Sequence, residues 1–357
     1  MTIYVFAFVF FLLVLFPHSR IPRIVFLLGL SYFAYSYIDL ADYDGYEGMY
    51  DAWRGNSSGQ YFLDNIEVGF RYLVYIGNFF GFTYPEFKAI AYFCFGCLYV
   101  HSLVKLNPKS ANLTLSLYLI YPMLLDLVQV RHFMAMSLFL YAFAIFLDSV
   151  KYKKTRFMHF INFVPSILLH KSFLLLFILI PLSYGLLYFV NKKQFLLKIS
   201  LIMTFILMTL FATLQFFKLT SVPYFQTSTS FASISFFLFI YFISFVFLVY
   251  VYKKYSHVFK SELTTVRIEY LRIIIIYTAL LVSILMPLMF FSVEFFRFFR
   301  VEYLILLSIT LSYLLSNFTL INKINVFIIY SFHICFAFTI YYMSYLDSVV
   351  FPWLFTS

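Results

Sequence analysis

The sequence predicts an all-α, polytopic integral membrane protein with about twelve (11–13) transmembrane helices and an extracytoplasmic loop carrying short amphipathic helices. Three observations carry this. Of 357 residues, 64% are hydrophobic and only 11% charged, too few charges for a water-facing surface. Apolar runs recur from the first residue to the last. The lysines and arginines gather in alternate breaks between those runs, as membrane topology requires. Neither of the two longest polar stretches, 39–66 and 253–267, is long enough to fold separately, so residues 1–357 are expected to form one integral domain, with both stretches as loops.

In chain order, 2–16 is apolar with no basic segment before it and no small-residue cleavage signal after it, and reads as a retained first helix rather than a signal peptide. A second span covers 22–38. Within the polar loop that follows, DLADYDGYEGMYDAW places Asp42, Tyr46 and Tyr50 at i, i+4 and i+8, one face of a short helix lying on the membrane. EVGFRYLVYIGNFFG, 67–81, is apolar but short for a crossing and is expected to be half-inserted or interfacial. The next spans are 85–104, 110–126, 129–148, 156–170 and 172–190, followed by 195–217, 231–252, 270–291, 300–317 and 325–346. Cys94 and Cys97 form a C-x-x-C inside the first of these. A zinc or redox site there would lack water and further ligands, so these thiols and Cys335 are expected to be buried and inert. His333, within the last span, is expected to be a satisfied core histidine.

The breaks 17–23, 105–109, 149–157, 191–198, 253–267 and 318–324 hold most of the basic residues and fall on one side if twelve spans cross. By the positive-inside rule that side is cytoplasmic and both termini are outside. The opposite breaks hold Asp39, Asp42, Asp44, Glu47, Asp51, Asp64, Glu67 and Glu294. A formal net charge of +10 distributed in this way gives no basic face for nucleic acid.

Several polar residues are not accounted for by solubility or anchoring. Arg131 and His132 open a span at its extracytoplasmic end. His170 and Lys171 sit at the hinge between two closely spaced spans on the same side, and Arg297 and Arg300, three apart, at the mouth of a later one. An arginine in a span is costly. Taken alone, Arg131 could reach to headgroups or pair with Asp126; six cationic or imidazole groups on one side point instead to an anion-binding cavity. Arginine's planar fork suits phosphate and pyrophosphate. Asp42 and Asp44 make a D-x-D, but on a helix the two carboxylates point apart, and no metal is expected.

In order, these residues resemble the EpsG-type branch of the Wzy-like polymerases of O-antigen and exopolysaccharide. The resemblance covers roughly 30–310 and runs through Asp42, Tyr46 and Tyr50; Glu67, Gly69 and Phe70; Arg131, His132 and Ala135; His170 and Ser172; and Arg297, Arg300 and Tyr303. His132 stands where that pattern has glutamine. The resemblance implies a glycosyltransferase of the bacterial inner membrane, acting at its extracytoplasmic face. It would move a growing glycan from undecaprenyl pyrophosphate onto the non-reducing end of an undecaprenyl-pyrophosphate-linked repeat unit. No cofactor is implied, since the lipid donor is already activated. Partners would be lipid-linked glycans, membrane lipids and a polysaccharide chain-length regulator. Arg131 with one or both of Arg297 and Arg300 would hold the pyrophosphate, with His132 beside them, and Tyr46 and Tyr50 could stack on sugars. The proton acceptor is left open among Asp42, Glu67 and His170. The alternatives are an O-antigen ligase or other glycosyltransferase using polyprenyl-linked sugars, and a lipid-linked glycan transporter or flippase; a ligase would show a larger late external loop, a transporter charges accessible from both faces.

Overall fold

The computed structural model describes residues 2–36, 42–52, 66–151, 157–189, 262–289, 296–316 and 320–340, with isolated positions between 198 and 253. Among the described residues every regular element is helical. The elements are α1 (Thr2–Leu15), α2 (Ile21–Ser36), α3 (Tyr43–Asp51), α4 (Val68–Phe79), α5 (Tyr84–Leu106), α6 (Ala111–Ile120), α7 (Met123–Val128), α8 (Val130–Lys151), α9 (Met158–Ile161), α10 (Val164–Leu169), α11 (Phe173–Phe189), α12 (Glu262–Met289), α13 (Phe296–Ser316) and α14 (Leu320–Ile340).

Among the described residues two helices are long and apolar enough to cross a bilayer, Tyr84–Leu106 and Val130–Val150, and six more apolar segments are shorter. This agrees with a helical membrane protein, and the count of about twelve crossings rests on the sequence pattern alone. The expected spans 195–217 and 231–252 lie almost wholly outside the described residues. Two expected spans are broken. The run 110–126 divides at Tyr121 and Pro122 into α6 and α7, where proline supplies no N–H to the ladder. The run 156–170 divides into α9 and α10, with Pro165 in the first turn of α10. The stretch 253–267 is not wholly a loop, since α12 already begins at Glu262.

The residues fall into two compact units, one of 1–145, 161–173 and 311–357, the other of 146–160 and 174–310. In the first, α2 packs along α5, α1 packs on α2 and α6, α4 packs on α10, and α14 packs on α6. Local chemistry sets these starts and stops. Glu86 reaches back to the backbone N–H of Thr83 at 2.8 Å and begins α5 with a capping box. The turn between α1 and α2 is tied down by Asn112, whose amide donates to the carbonyls of Phe16 (2.7 Å) and Ser19 (2.9 Å) and accepts from Arg23 Nε (2.6 Å). These side-chain bonds satisfy carbonyls left free where α1 ends. His333 bonds the Leu117 carbonyl at 2.8 Å and is buried, a core histidine.

In the second unit the inner faces of α12 and α13 bury Ile274, Ile275, Leu304 and Ile305. A carboxyl that the sequence reading passed over, Glu302, is buried there and accepts a hydrogen bond from the Thr278 hydroxyl. One expectation about the thiols is corrected: Cys94 and Cys335 are exposed and Cys97 is intermediate. They lie on outward helix faces, where a membrane protein meets lipid and apolar residues need no protein cover.

Candidate functional site

The site grows from three local breaks in helical structure, all in the first unit. At the first, Gln129 interrupts the chain between α7 and α8 with φ −100° and ψ 67°, so α8 begins immediately before Arg131 and His132. At the second, Glu67 sits in extended geometry at the N-cap of α4. At the third, His170 ends α10 with φ −155° and ψ 103°, and its carbonyl accepts from the Phe173 N–H (3.0 Å) to start α11.

Glu67 joins the three. Its Oε2 accepts from Arg131 Nη1 at 2.7 Å, and its Oε1 lies 3.9 Å from His170 Nδ1. Burial works against the charge on Glu67. Its own backbone N–H, Arg131, His170 and the Lys171 N–H outweigh that and hold its pKa below the ordinary carboxylate value. Ser172 Oγ shares a 2.7 Å hydrogen bond with His170 Nδ1. Arg131 Nε donates to the Tyr46 hydroxyl at 3.3 Å, and the guanidinium lies 5.4 Å from the Tyr46 ring and 5.8 Å from the Phe70 ring, within cation–π range. Two edges of the arginine are thus anchored. Nη2 makes no hydrogen bond among the described residues, and the side chain stays 24% exposed. The buried His132 ring stands edge-on to His170, centroids 5.8 Å apart, with Phe173 against both.

Gly69 makes the meeting of α4 and α10 possible. A Cβ there would come within 2.8 Å of the Leu168 carbonyl carbon and oxygen. Both are main-chain atoms and cannot swing away, so the helices approach as closely as they do only because position 69 has no side chain. Gly69→Ala is expected to push α4 off α10, separate Glu67 from His170 and destabilise the fold by about 1–3 kcal/mol. Thermal unfolding in detergent checks this, and an unchanged melting temperature would contradict it.

The cluster therefore gathers Glu67, Arg131, His132, His170 and Tyr46. Arg131 pairs with Glu67. Asp126, the partner weighed from sequence, is fully buried on α7 near the hydroxyls of Tyr99 and Tyr118. Asp42 is exposed at the N-cap of α3 and makes no side-chain cap bond. Tyr50 is wholly buried; its hydroxyl donates to the Phe82 carbonyl at 2.9 Å, and its ring packs 5.0 Å from Phe87. It fixes α3 to its neighbours and offers no face to a sugar in this arrangement. Arg297 and Arg300 belong to α13. Arg300 is buried, and the Arg297 side chain lies outside the described part. Among the described residues no cluster of His, Cys, Asp and Glu is built to hold a metal ion.

Sequence reasoning missed Phe173, which no local signal singles out among 52 phenylalanines. It also missed Lys88, buried in α5 with its Nζ 5.6 Å from the Tyr43 ring; a lone lysine in an apolar run was the available signal.

A family model described as the EpsG family matches residues 19–355. No curated protein and no solved structure matches the chain.

Proposed function

The chain belongs to the EpsG family, and from that premise we propose that it is a polysaccharide polymerase, a glycosyltransferase of the bacterial inner membrane acting on undecaprenyl-pyrophosphate-linked glycans. The observation that carries the proposal is Arg131, anchored through Nη1 and Nε by Glu67 and Tyr46 with its Nη2 edge left to a ligand. Pre-anchored guanidinium donors stabilise charge developing on a leaving group without having to reorganise.

In the proposed reaction the acceptor sugar's hydroxyl oxygen forms a bond to the donor's anomeric carbon. The bond from that carbon to pyrophosphate breaks, and its electron pair leaves with the phosphate oxygen toward Arg131. The hydroxyl proton passes to His170. Ser172 and Glu67 both face Nδ1, which favours the tautomer protonated there and places the basic lone pair on Nε2. Both oxygens of Glu67 are directed at protein groups, so the carboxylate acts on the imidazole and the guanidinium. This favours His170 as proton acceptor over Glu67, and over Asp42, which lies exposed on α3. Arg297 and Arg300 are kept as proposed substrate-binding cations on their charge and spacing. The cluster is assigned to the extracytoplasmic face because the acidic breaks share that side and the basic ones the other; a chain-length regulator is the proposed protein partner.

The test is a deletion strain examined by gel for surface glycan, complemented with the intact gene or the Arg131→Ala gene. A ladder reduced to one repeat unit and restored only by the intact gene supports the polymerase. Lipid-linked polymer accumulating without transfer would mean a ligase, and an unchanged ladder would remove both readings.

A further inference from the structure

We propose that Tyr92, on α5, is a positioning residue that sets where Arg131 stands. This rests on the reading of Arg131 as the ligand of the substrate's pyrophosphate. Tyr92 is fully buried and is in none of the motifs that mark the site. Its hydroxyl donates a hydrogen bond to the Asp126 backbone carbonyl on α7, and its ring stacks on Phe133 of α8, with centroids 4.5 Å apart and planes 12° from parallel. One side chain therefore grips the chain on both sides of the break at Gln129, and Arg131 lies inside the bracket.

The break needs such a grip. Gln129 has left helical geometry, so the ladder that would hold α7 and α8 in one fixed direction is interrupted. The Gln129 N–H still donates to the Leu125 carbonyl at 3.1 Å and its carbonyl accepts from Phe133 at 3.0 Å, and Tyr92 adds a tie from outside the pair. The Asp126 carbonyl lies one turn before the break, and Phe133 is the first residue of α8 whose N–H returns to Gln129, at 3.0 Å. The two points lie on either side of the hinge. Tyr99 backs the arrangement, its ring 6.2 Å from Phe133 and 4.9 Å from Tyr118. Glu67 can meet Arg131 Nη1 at 2.7 Å only while α8 starts at this place and in this direction.

The experiment is a double-mutant cycle on the full-length protein in detergent or nanodiscs. The substrate is the repeat-unit glycolipid extracted from a strain lacking this gene. Tyr92→Phe keeps the ring and its stack and removes only the hydroxyl's hold on Asp126. We expect kcat/KM to fall about 10-fold, as small misplacement of a substrate-holding group does, with the melting temperature little changed. In an Arg131→Lys background, where the fork is already lost, Tyr92→Phe should cost no more than about twofold. Equal losses from Tyr92→Phe in both backgrounds would overturn the proposal, since a residue that merely stabilises the fold lowers both alike. If Tyr92→Phe does not yield monodisperse protein, Phe133→Leu, which loosens the other grip, is read by the same cycle. Wild-type turnover by Arg131→Lys would show that the placed fork is not needed and would overturn the positioning role; wild-type turnover by Arg131→Ala would instead sink the pyrophosphate reading itself.

Discussion

Arg131→Ala is expected to lower polymerisation by about 10²–10³-fold, leaving single repeat units on the surface glycolipid. Two contributions combine. The substrate loses the fixed guanidinium edge, and Glu67 loses its 2.7 Å partner while backbone groups still hold it in place. An ion pair broken on one side leaves a buried charge uncompensated, at about 3–5 kcal/mol for a fully buried pair. Solvent screening puts the loss below that range here, because the Arg131 side chain is 24% exposed. Arg131→Lys separates the two contributions. It keeps a positive charge for Glu67 but gives up the planar fork, so it should fold like the parent protein and still lose most turnover. Full activity in Arg131→Lys, measured on purified protein, would show that point charge suffices and that the fork is not used.

His170→Ala is the second large effect. Removing a positioned proton acceptor costs about 10²–10⁴-fold, and here the loss should appear in kcat with KM changed little, because His170 is assigned to the proton and Arg131 to the charge of the leaving group. The pH profile assigns the titrating group. Glu67 has its pKa lowered in the folded protein, so its stabilising contribution is fully present above the unfolded carboxylate range near about 4.3. It is lost only as pH falls through the still lower folded value. Between about pH 5 and 8 Glu67 keeps its charge, so a rate that rises through that window reports another group, and loss of the rise in His170→Ala assigns it to His170. Ser172→Ala should shift that rise by removing the hydroxyl from Nδ1. A profile unmoved by Ser172→Ala, together with wild-type kcat in His170→Ala, would take the proton away from His170.

Much of the helical plan was legible because its signals are local. The apolar run of α8 and the aromatic face of α3 each lie within a few residues of sequence. The break at Pro122 was equally local but was read through, since the apolar run 110–126 continues across it and hydrophobicity carries no record of a lost N–H. The thiols were misplaced for a related reason. Inside a bilayer both the buried and the lipid-facing sides of α5 are apolar, so composition cannot tell whether Cys94 points in or out. For the site, the residue types and their order drew attention to Glu67, Arg131 and His170. Their mutual arrangement was not readable, and Asp126, five residues from Arg131, looked the more natural partner than Glu67, sixty-four residues away.

What the sequence by itself determined is therefore a helical membrane chain with a set of costly cations and carboxylates, because solvent preference is a property of each residue and its neighbours. Only the tertiary structure decided which of them meet. Glu67 reaches Arg131 and His170 because a glycine at 69 lets α4 lie against the backbone of α10 and because α8 starts anew after Gln129. Charge pairing depends on separations of a few ångströms, and those are set by packing between segments far apart in the chain.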